Sequence, residues 1–338
     1  MRLVEVGDGE GTLRPVPSYP HLLDDLLSVQ PGVYSPVVAH ASALAAGWVY
    51  ASKPAALTTG LMDRLGLVGA SCQELAVHND VMLIASTAVV LQSACGRVAL
   101  LCYRGTEPRN LTSWMADFDV NPTLAPMRAI TRGDRPLVHL GFSRNLRVTW
   151  HDVARTLERA AAGRAVDERD DGSLQPLQAL FVTGHSLGAA MAALAGVRIA
   201  TGQAETASLR SKLRGIYTFG QPFVGNEAFA SVCSVDPLLR RGVFRHVYRN
   251  DVVPHLPGRS SGKFVHFGRE FRVGPGLRWQ EHARSATQAP DTLLSMFVVP
   301  TVVYWANQVA ATRRLAKVGY SWNDHLPQFY IEASALQP

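Results

Sequence analysis

Gly184-His185-Ser186-Leu187-Gly188 fits G-x-S-x-G, a spacing that can present a serine hydroxyl for nucleophilic attack. The apolar run Ala179, Leu180, Phe181, Val182 before it is short enough for a buried strand, and an Ala-rich helix former follows with no room for a loop. Such a strand–turn–helix order lifts the serine above a sheet edge, with glycines keeping the tight turn free of flanking side chains. The helix N-terminus behind it favours developing negative charge. The plainer alternative is a glycine-rich turn with an incidental serine. The apolar strand before it and the small-residue helix after it weigh against that.

A serine hydroxyl needs a base, and the base needs an acid to fix its tautomer. A serine at this kind of elbow takes both from farther along the chain, acid first. Val243–Arg249 reads as a core strand, and Asn250-Asp251 follows it directly, so Asp251 leads as the acid. Asp236 lies in a loop and Asp291 opens a helix, where an N-cap is the simpler role. An exposed turn aspartate remains the plain alternative for Asp251. Four histidines follow it. His255 shares its turn, His266 sits in the strand-like Phe264–Phe267, and His282 lies in a polar stretch that reads as a solvated helix. His325 lies in a loop near the C-terminus, which suits a mobile base. On residues alone, His325 and the other three together stay open.

These side chains need a scaffold. Residues 1–33 read as loop with a short helix near His21–Ser28, and Pro36 to about Ser52 as a helix. Residues 76–93 and 97–103 read as neighbouring strands, Ser143 to Ala162 as a helix, and Gly215–Phe219 as a further strand. Strands alternating with helices predict an α/β fold with a mostly parallel sheet covered on both faces. A strand ending in Arg104-Gly105-Thr106 places a hydroxyl at the carboxyl end of the sheet, where ligand sites of such folds lie. Leu111, Trp114, Met115 and Phe118 share one face of a short helix, either ordinary core or a lid over the site. With no repeat and no composition break, a single domain over 1–338 is expected, with 1–35 an irregular extension and 274–320 a helical insertion.

The chain has 338 residues, 47% of them apolar and 18% charged, enough for a sizeable core. A net charge of +6, spread rather than striped, argues against a nucleic-acid partner and leaves a mild attraction to anionic lipid surfaces open. Cys72, Cys95, Cys102 and Cys233 show no paired spacing and read as buried thiols. The longest apolar run, Leu293 to Ala306, is about 14 residues, too short to span a membrane. The N-terminus lacks an apolar signal core, so a cytoplasmic location is expected, with signal-independent secretion as the other route.

Six motifs recur in order: Tyr103–Thr106 with a following Trp and Asp, Val138–Phe142, Thr183–Ala189, Thr218–Pro222 with Val224-Gly225-Asn226, Asn250–Pro257, and Asp324-His325 with Tyr330. On these the chain resembles the class 3, or fungal-type triacylglycerol, lipase family over roughly residues 36–338. The resemblance implies an α/β-hydrolase fold, Ser186 as nucleophile, Asp251 as acid and His325 as base. It implies an oxyanion hole from Thr106 and the Leu187 N–H, and a lid at 107–121 bearing Leu111, Trp114, Met115 and Phe118. No metal or cofactor is expected. The expected partner is a lipid or other ester substrate, most simply an acylglycerol at a lipid–water interface. A phospholipase, a short-chain or feruloyl-type esterase and a catalytically silent binding protein are the rival readings.

Overall fold

The apolar runs Val98–Tyr103 and Ala179–His185 become central strands of one eight-stranded sheet. The computed structural model describes residues 3–7, 13–51, 53, 60, 62–79, 81, 84–105, 122–125, 135–167, 174–202, 204–259, 262–274, 278–289 and 321–335. The sheet strands are β1 (Ser71–Asn79), β2 (Ile84–Gln92), β3 (Val98–Tyr103), β4 (Ala179–His185), β5 (Leu213–Phe219), β6 (Val243–Val247), β7 (Arg269–Val273) and β8 (Trp279–His282), lying side by side in chain order. β3 to β7 run parallel, while β1, β2 and β8 join antiparallel at the edges. The expected α/β fold with a mostly parallel sheet is the one observed.

The helices are α1 (Leu22–Ser28), α2 (Pro36–Trp48), α3 (Leu140–Ala161), α4 (Leu187–Ala200), α5 (Glu227–Val235), α6 (Pro237–Gly242) and α7 (Pro327–Ser334). Strand alternation splits the core in two. Ala99, Leu101 and Tyr103 of β3 join the cluster with α3 and α4. Val98, Leu100 and Cys102 join the cluster with α1, α2 and α7. Burial on both faces is why β3 and β4 read as unbroken apolar runs rather than alternating ones. α3 is amphipathic instead, burying Phe142, Leu146, Val153 and Leu157 along one stripe. Ser35 caps α2, its side chain accepting from the Val38 N–H, and Asn226 caps α5 through the Phe229 N–H.

Several sequence expectations shift. The N-terminal stretch read as loop contains a hairpin, Leu3–Gly7 with Leu13–Pro17, ahead of α1, which stands where a short helix is expected. The strand expected over 76–93 divides in two, β1 ending at Asn79 and β2 starting at Ile84, and the largely polar, half-exposed pattern of β1 hid its beginning. The strand ending at Arg249 stops at Val247, and Arg249 takes a positive φ of 39°. His282 lies in β8, an antiparallel edge strand, not a solvated helix. The start of the 274–320 segment is therefore strand, and 290–320 lies outside the described residues. Cys102 and Cys233 are buried, but Cys72 and Cys95 are only half-buried.

Candidate active site

Ser186 joins β4 to α4 with φ 60° and ψ −127°, a strained value for a side chain bearing a Cβ. The packing around it demands glycine. A Cβ on Gly184 would lie 2.3 Å from the Gly188 carbonyl oxygen, and one on Gly188 would lie 2.1 Å from that of Tyr103. The G-x-S-x-G spacing is thus a statement about backbones in contact. Leu187 opens α4, so its N–H is among the groups a helix leaves without an intrahelical partner.

Asp251 stands just beyond β6, as the sequence predicts, and is fully buried at 0% exposure. One carboxylate oxygen accepts from the Val253 N–H at 2.8 Å, and the other lies 2.8 Å from His325 Nδ1. A carboxylate only accepts, so Nδ1 carries the proton and Nε2 is left as the free, basic nitrogen. Tyr330 also donates its hydroxyl to the same oxygen while accepting from the Tyr248 N–H. Burial, and then the Asp251 charge, push the Tyr330 hydroxyl far above its ordinary pKa, so it stays a donor.

The loops carrying acid and base are tied together. The Ser321 N–H donates to the Asn250 carbonyl at 2.7 Å, and the Asn250 N–H donates to Asp324 Oδ2 at 3.1 Å. His185, the variable residue of the elbow motif, adds a second tie. Its pKa is held well below the usual histidine value, by burial first and by neighbouring His325 second. The neutral ring donates from Nε2 to the His325 carbonyl at 2.7 Å and accepts at Nδ1 from the Tyr50 hydroxyl at 3.0 Å. The two imidazoles lie 4.5 Å apart.

The other candidates are otherwise engaged. Asp236 caps α6 and pairs with Arg210 at 2.9 Å. His255 donates a ring N–H to the Thr287 carbonyl, His266 to that of Pro254, and His282 to that of Arg284. Asp291, Thr106, Leu111, Trp114, Met115 and Phe118 lie outside the described residues. Ser186 and His325 are 1% and 4% exposed, and neither Ser186 Oγ nor His325 Nε2 has a hydrogen-bond partner among the described residues. Two buried reactive atoms are left open. Sequence reasoning missed Tyr50 and the role of His185, for which only the three-dimensional contacts provide a signal.

Known proteins resemble the chain in sequence and in fold. Residues 100–261 match the family model described as Lipase (class 3). The chain is 29% identical over 197 residues to a triacylglycerol lipase, OBL1, of Arabidopsis thaliana, covering 50% of this chain and 36% of the relative. It is 29% identical over 188 residues to a lipase of Rhizomucor miehei, covering 56% and 45% respectively. The chain thus spans less than half the length of these relatives. Among solved structures, lipase II from Rhizopus niveus superposes with a TM-score of 0.53 at 23% identity over 70% of this chain and 80% of that one. The native Rhizomucor miehei lipase–propeptide complex gives 0.55 at 20% identity over 86% and 79%. At such identities these structures speak to the fold.

Proposed function

We propose that the chain, whose residues 100–261 match the family model described as Lipase (class 3), is a serine carboxylic-ester hydrolase acting on acylglycerol esters. The observation that carries the reading is the buried Asp251–His325 pair, with its free Nε2, in a fold that presents Ser186 on a strained elbow. In this mechanism His325 Nε2 takes the Ser186 proton as the oxygen attacks the ester carbonyl, and Asp251 stabilises the imidazolium. The Leu187 N–H, at the start of α4, receives the oxyanion, and Thr106 is the second donor in this reading. The imidazolium then protonates the departing alcohol, and water attacks the acyl-enzyme by the same route in reverse. The names of two curated relatives, triacylglycerol lipase and lipase, support an acylglycerol substrate. A site this buried needs a cover that opens, and the apolar face Leu111, Trp114, Met115 and Phe118 is the candidate that the sequence supplies.

The test is hydrolysis of triacylglycerol, phospholipid and p-nitrophenyl esters of graded chain length by the wild type and by Ser186→Ala. The wild type cleaves acylglycerol, and the variant loses about 10⁴-fold or more on every ester it cleaves. Full activity in Ser186→Ala would overturn the assignment. Cleavage confined to phospholipid or to short soluble esters would move the substrate class and leave the chemistry intact.

A further inference from the structure

We propose that Gln221 is a substrate-binding residue that hydrogen-bonds the alcohol part of an ester bearing a free hydroxyl near the scissile bond, the chemistry of a partial acylglycerol. This rests on the hydrolase reading above and deepens it. Gln221 is 1% exposed, yet neither its Nε2 nor its Oε1 has a hydrogen-bond partner among the described residues. A buried carboxamide with both ends unanswered is rare in folded proteins, because it gives up its hydration for nothing. Ser186 Oγ and His325 Nε2 share that condition, and in their case the missing partner is the reacting substrate.

Placement links the three. The parallel register of β4 and β5 sets His185 beside Phe219, and the Ser186 N–H donates to the Phe219 carbonyl at 3.0 Å. Gly220 has a φ of +57°, and a Cβ there would lie 2.8 Å from the His325 ring and 2.9 Å from Asp251 Oδ2. The residue next to Gln221 is therefore packed against the base and acid, just past the end of the strand that neighbours the one leading into Ser186.

The chemistry of the amide narrows the ligand. A carboxamide offers N–H donors and a carbonyl acceptor. The ester carbonyl is committed to the oxyanion donors, and an acyl chain has nothing to offer. A triester adds only further acceptors, which would answer Nε2 and leave Oε1 orphaned. A free hydroxyl on the alcohol both accepts and donates, and so answers both ends. Sites built to hydrogen-bond a hydroxyl discriminate strongly against analogues without one.

The test compares the wild type with Gln221→Leu on a 1-monoacylglycerol and on the methyl ester of the same fatty acid, together with thermal melting of both proteins. The variant loses about thirtyfold in kcat/KM on the monoacylglycerol, at least tenfold more than its loss on the methyl ester. Its melting temperature equals or exceeds that of the wild type, because an unanswered amide has been replaced by an apolar side chain of similar size. Equal losses on the two esters, or a fall of several degrees in melting temperature, would overturn the assignment of Gln221 while the hydrolase reading stands. A wild type that cleaves neither ester would overturn the assignment of Gln221, and one that cleaves no ester of the wider panel either would overturn the hydrolase reading as well.

Discussion

Two buried polar networks sit on adjacent parts of the sheet, and they differ in how completely they close. Around Glu270 on β7, all three guanidinium nitrogens of Arg245 have an acceptor: Glu270 at 3.1 Å, the Phe267 carbonyl at 2.8 Å and Ser285 Oγ at 2.8 Å. Glu270 is also answered by Arg272 and by the Ala286 N–H, each at 2.7 Å. Burial alone would raise the Glu270 pKa, but the Arg245 guanidinium, the Ala286 N–H and Arg272 hold it below the usual carboxylate range. Around Asp251 the carboxylate is equally well bonded, yet Ser186 Oγ, His325 Nε2 and the Gln221 amide end in nothing. Each orphan of this kind costs about 1–3 kcal/mol. The closed network holds the loop at 283–289 against the sheet. The open one keeps valences for a substrate.

The sharpest way to break this contrast is to remove one charge from each network. Asp251→Asn lowers kcat by about 10⁴-fold, as expected of the acid in a serine triad, because the amide no longer fixes the His325 tautomer. Its urea-unfolding midpoint stays close to that of the wild type. Glu270→Gln does the reverse, leaving the Arg245 charge uncompensated and lowering the unfolding free energy by about 3–5 kcal/mol. Its folded fraction keeps a near-normal kcat. If Glu270→Gln abolished catalysis without loss of stability, the division between the two networks would be wrong.

A further effect should follow pH. His246, on β6 next to Arg245, is buried and held at about 3, and His40 at about 4, in both cases by desolvation. His246 donates from Nδ1 to the Thr218 carbonyl and accepts at Nε2 from Tyr34, so a second proton has no place to go. Both folded pKa values lie below the ordinary value of 6.5, so the unfolded chain takes up protons first as pH falls. Unfolding free energy therefore declines from about pH 6.5 downward, by about 3 kcal/mol per histidine on reaching pH 4. Urea titrations at pH 7, 5.5 and 4 measure it, and a flat profile would contradict the buried neutral state.

Much of this was legible in the residues. The elbow could be read because its glycines, apolar strand and small-residue helix are all local features. Asp251 could be read because an acid directly after an apolar strand lands at a sheet edge. His325 could not be separated from His255, His266 and His282 by local pattern. What separates them is that those three donate to main-chain carbonyls while His325 meets a carboxylate. Arg245 and Glu270 were invisible, since charged residues read as surface until a partner from another strand is brought beside them. The edge strands β1 and β8 were missed or misread because half-exposed strands carry polar residues that resemble loop or helix surface. Tyr50 and Gln221 matter only through contacts made, or left unmade, across the fold.

The most direct measurement is mass spectrometry of the intact protein and its peptides after treatment with an active-site phosphonate. The account predicts one adduct per chain, on the peptide containing Ser186, formed at a rate that falls steeply in Asp251→Asn. No adduct, or an adduct on another residue, would contradict it.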